Sequence, residues 1–247
     1  MRIPFTKYGW PEVVVFPVVV FAVMVAFLLG SISFVPLWAI ISVEIVLAIV
    51  LISVLSFFRD PYRPVRLRPA DQNLLLAPAD GRITDIEVVD ENDFIGGQGE
   101  ALDWIKSAGA DRALRIGIFL SIFDAHINRA PCNVKVEKIT YRQGDYKNAM
   151  KSESGQVNES NNLDLARTDS PQDKLVVRQI SGAIARRIVC EASQGQELAS
   201  GEKFGMIKFG SRTELYVPAP DPPWRMKCLV QIGDKVKAGL TPLVRYE

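Results

Sequence analysis

The chain contains one histidine, His126, so any role that needs an imidazole falls on that position. This excludes metal centres built from several histidines. Two other charged groups stand close to it in sequence. Asp124 lies two residues before it, and Arg129, three residues after it, is a permanent cation able to bind a phosphate or carboxylate. Asp80-Gly81 and Gly233-Asp234 have the composition of turns between strands. A turn aspartate can also serve as the carboxylate that orients a base. Gly210-Ser211 puts a hydroxyl directly after a residue with no Cβ, and alone it is ordinary turn chemistry. The cysteines, Cys132, Cys190 and Cys228, are three in number and far apart. They give neither metal-ligand spacing nor a disulfide framework, and they favour a reducing compartment. No metal site is expected. With Lys+Arg at 29 and Asp+Glu at 28, the net charge of +1 provides no basic field for nucleic acid.

These groups have to be positioned by a chain of 247 residues, enough for one or two domains. Hydrophobic residues make up 48% of it, with the excess at the start. Residues 13–29 carry no charge, and Gly30, Ser31, Ser33 and Pro36 interrupt the run. Residues 37–58 are apolar again except for Glu44. About 20 helical residues cross a ~30 Å hydrocarbon core. The first run is slightly short and contains Pro17, whereas the second is long enough. So short a connection makes a helical hairpin. A hairpin that inserts without spanning fits the same residues, and a buried soluble hairpin is the competing reading. Glu44 at mid-span is expected to pack inward or against another chain. Arg2 and Lys7 precede the hairpin, and Arg59, Arg63, Arg66 and Arg68 follow it. Both ends are therefore expected in the cytoplasm, with the following domain facing it from the cell (inner) membrane.

Beyond Arg68 the pattern shortens to alternating runs bounded by Gly, Pro, Asp and Asn. Strands are expected at residues 113–122, 133–141, 174–180, 183–190, 205–209, 213–217 and 226–232. Leu114, Ile116, Ile118, Leu120 and Ile122 share a face of the first. Met226, Cys228, Val230 and Ile232 share a face of the last. A short helix is expected at 99–108, and the polar stretch 145–173 reads as a long loop. The fold class is thus mostly β (α+β): a membrane hairpin at 1–60, then an antiparallel sandwich or barrel-like domain at 61–247.

The segment 204–212, Phe-Gly-Met-Ile-Lys-Phe-Gly-Ser-Arg, followed by an alternating strand, resembles the autocleavage site of phosphatidylserine decarboxylase in its short, membrane-anchored bacterial form. Further segments agree and follow in the expected order: residues 77–82, Ala-Pro-Ala-Asp-Gly-Arg; 121–131, Ser-Ile-Phe-Asp-Ala-His-Ile-Asn-Arg-Ala-Pro; 141–146, Tyr-Arg-Gln-Gly-Asp-Tyr; and 180–190, Ile-Ser-Gly-Ala-Ile-Ala-Arg-Arg-Ile-Val-Cys. The resemblance implies that the chain cuts itself between Gly210 and Ser211 into 1–210 and 211–247, which stay together as a heterodimer. Ser211 Oγ would attack the Gly210 carbonyl. The resulting ester would eliminate, and hydrolysis would leave a covalent pyruvoyl group derived from Ser211. That cofactor would form a Schiff base with phosphatidylserine and release CO2 and phosphatidylethanolamine.

Each implied step has a chemical requirement. Gly210 lets its backbone bend toward attack. The Ser211 hydroxyl needs a base, and His126 is the only imidazole. A carboxylate would hold its tautomer. Asp80 matches the family position, with Asp124 as a rival by proximity. Longer relatives carry a second histidine where this chain has Arg129, which becomes the candidate for binding the substrate's phosphate or carboxylate. Residues 158–161, Asn-Glu-Ser-Asn, resemble a family loop that usually has arginine where Ser160 stands. Phe204, Met206, Ile207 and Phe209 are candidates to line an apolar setting for the substrate carboxylate.

Two other readings compete. One is a pyruvoyl decarboxylase for another serine lipid, such as archaetidylserine. The other is a non-catalytic membrane-anchored adaptor, because residues 76–86 and 230–239 are similar to the strand–turn pattern of lipoyl- and biotinyl-type domains. Met226-Lys227 falls inside an expected strand rather than in the hairpin a carrier lysine needs. One chain or two after purification separates adaptor from enzyme.

Overall fold

The computed structural model describes residues 5–64, 72–90, 103–104, 106–107, 109–147, 157–169, 173–182, 187–208, 211–219 and 226–247. The chain divides into two compact units, Met1–Tyr62 and Arg63–Glu247.

In the first unit, α1 (Glu12–Ser31) and α2 (Leu37–Phe57) are 20 and 21 residues long, so each is about 30 Å in length. Both are long and apolar enough to cross a membrane. The α1 helix extends beyond the apolar run 13–29 at both ends and continues through Pro17. Large apolar side chains stand uncovered on both helices, among them Phe21, Leu29, Trp38 and Ile52. Water penalises such a surface and hydrocarbon does not. Hydroxyls that hydrocarbon would strand are satisfied within the helices: Ser31 donates to the Phe27 carbonyl, Ser42 to Trp38 and Ser53 to Ile49. Glu44 is half-buried between the exposed Val43 and Ile45.

The second unit carries β1 (Leu74–Leu76), β2 (Gly81–Val89), β3 (Ala113–Leu120), β4 (Ile127–Arg129), β5 (Val134–Arg142), β6 (Ser160–Arg167) and β7 (Lys174–Ser181), followed by β8 (Arg187–Cys190), β9 (Glu197–Leu198), β10 (Lys203–Lys208), β11 (Ser211–Pro218), β12 (Met226–Cys228), β13 (Lys235–Val236) and β14 (Pro242–Tyr246). Among the described residues these form an eight-stranded sheet ordered β13-β2-β3-β11-β7-β6-β5-β9 and three-stranded sheets ordered β4-β10-β8 and β1-β14-β12. Their ladders are antiparallel. The chain is therefore α+β, with a strand-rich antiparallel domain after two apolar helices.

One topological feature organises the functional region. The middle of the large sheet is β3-β11-β7, and the small sheet is β4-β10-β8. The chain passes from the large sheet to the small one after Leu120 and after Ser181, and returns between Lys208 and Ser211. Three adjacent strands thus cross between sheets in the same left-to-right order. The last row of the large sheet is Leu120–Ser211–Ser181.

The core lies on one face of the large sheet, where Ile116, Ile118, Leu163, Leu165, Val177, Leu215 and Val217 pack together. Along β11 the odd positions face this core. The even positions Arg212, Glu214 and Tyr216 face the other way, and they too are fully buried.

Several expectations are corrected. The stretch 145–173 is not one loop, because β6 forms an interior strand of the large sheet within it. Its sequence, Ser-Asn-Asn-Leu-Asp-Leu-Ala-Arg, alternates properly, with Leu163 and Leu165 in the core and Asn161 on the same face, donating to Gln179 Oε1 at 3.0 Å. A buried polar partner replaces the apolar residue that would have marked the strand. The strand expected at 113–122 ends at Leu120, because the Asp124 carboxylate accepts from the Ser121 amide at 2.9 Å and closes a turn. Ile122 is consequently 54% exposed rather than on the inward face. The strand expected at 226–232 ends at Cys228. Asp234 accepts from the Gln231 amide at 2.8 Å, and Ile232 is 65% exposed on that turn. Of the strand expected at 183–190, Arg187–Cys190 is strand β8, and 183–186 lie outside the described residues. Of the helix expected at 99–108, residues 103, 104 and 106 are helical, and 99–102, 105 and 108 lie outside the described residues.

Candidate active site

Ser211 opens β11 at the crossing, fully buried between Leu120 and Ser181. Its Oγ makes no hydrogen bond among the described residues. A buried hydroxyl left unbonded costs about 1–3 kcal/mol, and a catalytic role is one physical reason for a fold to keep such a group. Gly210 and Phe209, which connect β10 to β11, lie outside the described residues. The neighbouring strand end is firmly held. Asn158 Nδ2 donates to the Ser181 carbonyl at 2.8 Å, and the Ser181 amide donates to the Glu159 carbonyl at 2.9 Å. The segment 158–161 therefore braces the row that contains Ser211.

His126 immediately precedes β4 and is fully buried. Its carbonyl accepts from the Ile207 amide at 3.2 Å, which sets it beside the last residues of β10. Its Nδ1 lies 2.9 Å from the Asp124 carbonyl oxygen. An acceptor there fixes the tautomer of the neutral ring: Nδ1 carries the proton and Nε2 the lone pair. The Asp124 carboxylate has a separate task, accepting from Ser121 N at 2.9 Å and from Ser121 Oγ at 2.6 Å. Asp124 thus orients the imidazole through its backbone while its side chain fixes the turn. Two apolar residues project from that turn, Ile122 and Phe123, at 54% and 78% exposure.

Asp80 ends the loop before β2. Gly81 has φ +149°, and a Cβ there would lie 2.1 Å from the Phe119 carbonyl oxygen. Only glycine lets the chain turn this close to β3, and that turn aims Asp80 inward. The Asp80 carboxylate accepts from the Ala238 amide at 2.8 Å and pairs with the Arg63 guanidinium, NH2 to Oδ2 at 2.6 Å and NH1 to Oδ1. Its loop is joined to the strand after His126, since the Arg129 amide donates to the Pro78 carbonyl at 2.9 Å. Arg129 is buried and donates from NH1 to the Gly201 carbonyl at 2.9 Å. The fold therefore brings Ser211 and His126 to one sheet crossing, and ties the Asp80 loop to the strand that follows His126.

A chain of buried amides, not anticipated from the sequence, extends from the crossing. Asn128 Nδ2 donates to Thr213 Oγ1 at 2.9 Å, Gln179 Nε2 to Asn128 Oδ1 at 2.9 Å, and Asn161 Nδ2 to Gln179 Oε1 at 3.0 Å. It joins β4, β11, β7 and β6, and Thr213 shares the face of Ser211. Gly205 belongs to the same packing, because a Cβ there would lie 2.2 Å from the Val189 carbonyl oxygen. Phe204, Met206 and Ile207 are buried alongside, with Phe204 in the main core.

The opposite face carries a buried ion cluster. Arg212 Nε donates to Glu214 at 2.8 Å, its NH2 to Asp85 at 2.6 and 2.7 Å, and its NH1 to Thr84 Oγ1 at 2.8 Å. Tyr216 OH donates to Glu214 at 2.7 Å. Burial pushes the Glu214 carboxyl up, but the guanidinium groups of Arg212, Arg115 and Arg178 outweigh it and hold it below its ordinary value. Burial pulls Arg212 down, and the carboxylates of Glu214 and Asp85 reverse that and raise it. The cluster fixes the residue after Ser211 against β2 and β3. Charged residues in an interior strand were a visible signal of it.

Comparison with known proteins assigns the family. The phosphatidylserine decarboxylase family profile matches residues 51–243. A phosphatidylserine decarboxylase proenzyme of Desulfotalea psychrophila is 40% identical over 189 residues, 76% of this chain and 77% of that protein. Proteins of the same name from Rhodopirellula baltica and Symbiobacterium thermophilum are each 36% identical over 99% of this chain, covering 89% and 97% of their own lengths. On this agreement over almost its whole length, the chain belongs to the phosphatidylserine decarboxylase family.

Proposed function

We propose that the protein converts phosphatidylserine to phosphatidylethanolamine and CO2 after cleaving itself between Gly210 and Ser211. The observation that carries this reading is the Ser211 hydroxyl, buried and unbonded among the described residues at the first position of β11. Ser211 is the residue type from which a pyruvoyl group is made, and the crossing encloses it.

In maturation, Ser211 Oγ attacks the Gly210 carbonyl while its proton passes to a base. The tautomer set by Asp124 leaves His126 Nε2 as the acceptor. The peptide nitrogen becomes an amine and the acyl group an ester. Loss of the Ser211 Cα proton expels the Gly210 carboxylate, and hydrolysis of the remaining enamine releases ammonia. A pyruvoyl group formed there supplies the carbonyl that engages the lipid amine and accepts electrons as CO2 departs. Arg129 is the cation for the lipid's carboxylate or phosphate. The buried Met206 and Ile207 support a dry setting, in which a carboxylate loses CO2 more readily. Ile122 and Phe123 provide apolar contact with the acyl region beside the loop that carries His126.

The two apolar helices support residence at the cell (inner) membrane, and the basic residues on both sides of the hairpin support a cytoplasmic catalytic domain. Intact mass of the purified protein tests the reading: fragments 1–210 and 211–247 are expected, remaining associated. Ser211→Ala should stay a single chain without decarboxylase activity. Efficient release of 211–247 from that variant would overturn the mechanism.

A further inference from the structure

The Asp80 carboxylate is held by more than its own loop. Arg63, 17 residues upstream, places its guanidinium edge-on to both carboxylate oxygens. The same Arg63 NH1 donates to the Ala238 carbonyl at 3.0 Å, and the Ala238 amide returns a hydrogen bond to Asp80 Oδ1 at 2.8 Å. Arginine, aspartate and the backbone of one residue, Ala238, thus form a closed set in which each is bonded to the other two. The two side chains are only 10% and 9% exposed. A surface arginine that merely marks topology or attracts anionic lipid would not be enclosed in this way.

We propose that Arg63 is a positioning residue for self-cleavage, acting through Asp80. The inference rests on the proposed self-processing at Ser211. Asp80 is the last residue of the 77–80 loop. That loop is tied through the Pro78 carbonyl to the Arg129 amide, and the strand of Arg129 runs back to His126, whose carbonyl bonds Ile207 ahead of the Ser211 crossing. Fixing Asp80 therefore fixes one wall of the region that has to align base and nucleophile. Arginine suits the task and lysine does not. A planar fork holds both carboxylate oxygens and sets their plane, while an ammonium acts as a point charge. Removing Arg63 leaves a buried carboxylate without its counter-ion, and Asp80 with its loop will move to regain solvation.

The experiment uses the full-length protein in detergent. Precursor fraction against time is measured for wild type, Arg63→Ala, Arg63→Lys, Asp80→Asn and the Arg63→Ala/Asp80→Asn pair, below the melting temperature of each. Self-cleavage of Arg63→Ala should slow by about 10²-fold, the loss that a ~1 Å misplacement brings. Arg63→Lys should recover only a small part of it, and added methylguanidinium should restore Arg63→Ala substantially. In the Asp80→Asn background, losing Arg63 should change the rate by no more than about two-fold, because a residue acting through Asp80 has nothing left to position. Wild-type cleavage rates in Arg63→Ala, or an undiminished further loss in the Asp80→Asn background, would overturn the proposal. If Arg63→Ala does not fold, Arg63→Lys carries the test: cleavage by it at the wild-type rate would overturn the proposal equally. A wild-type chain that never cleaves would instead refute the proposed function.

Discussion

Replacing His126 with alanine removes the only imidazole in the chain and leaves Ser211 in place. A positioned general base contributes about 10²–10⁴-fold to proton transfer, which corresponds to about 2.7–5.5 kcal/mol of barrier. The described geometry favours the upper half of that range. The ring is fully buried, and its Nδ1 is fixed at 2.9 Å from the Asp124 carbonyl. Nε2 therefore presents its lone pair in one direction with little freedom to lose. Precursor cleavage in His126→Ala should accordingly slow by about 10³-fold or more. Truncating a buried ring also costs about 2–5 kcal/mol of stability, so the rate must be read below the variant's own melting temperature. The assay is precursor fraction on a denaturing gel over time, with product measured in parallel. Added imidazole should partly restore cleavage, since the truncation leaves a hole of matching shape. Asp80→Asn should give a milder defect, because the base survives. Cleavage of His126→Ala at the wild-type rate would refute the role in maturation. If the cleaved variant also turned over normally, histidine would have no part in the mechanism.

Deleting residues 1–58 keeps Arg63 and every candidate site residue, so the remaining domain should still cut itself; a truncated protein that melts cooperatively yet stays intact would show that the hairpin is part of the catalytic structure. Glu214 is a carboxyl held below its unfolded value near 4.5, so its contribution is fully present above that pH and is lost as pH falls through the lower, folded value. The melting temperature should therefore hold from pH 7 down to about 5 and drop below it. Glu214→Gln, which breaks a buried pair worth about 3–5 kcal/mol on removal of one partner, should melt lower at pH 7 with a shallower acid decline, and an unchanged profile would refute this account of the cluster. Burial pushes the Cys132 thiol up to about 12, so it should resist a thiol reagent at pH 8 until the protein unfolds; rapid native labelling of Cys132 would show that its burial is not maintained. Phe123→Asp should slow turnover on lipid vesicles while leaving precursor cleavage intact, and equal rates on vesicles would exclude the loop tip from lipid contact.

The parts of this protein that are local in sequence could be read from it. Two apolar runs of helical length determine α1 and α2, because hydrophobicity over about 20 residues depends on nothing distant. Alternation over 113–120 determines β3, because a strand with one face in the core repeats every two residues. The motif around 204–212 and the solitary His126 nominated the candidate residues, but their contacts were not legible. Strand β6 was hidden because its buried positions include Asn161, which is satisfied by Gln179 from another strand. The ends of β3 and β12 were misjudged because aspartates three residues beyond the start of each turn, Asp124 and Asp234, outbid the apolar periodicity with side-chain hydrogen bonds. Tertiary structure alone decided that three strands cross between sheets in parallel order at Ser211. It alone decided that a backbone carbonyl orients His126, and that Arg63 closes on Asp80 and on Ala238, 175 residues away. Burial creates these pairings: a charge or amide removed from water must find a partner, and which partner stands in reach depends on how distant strands are laid side by side.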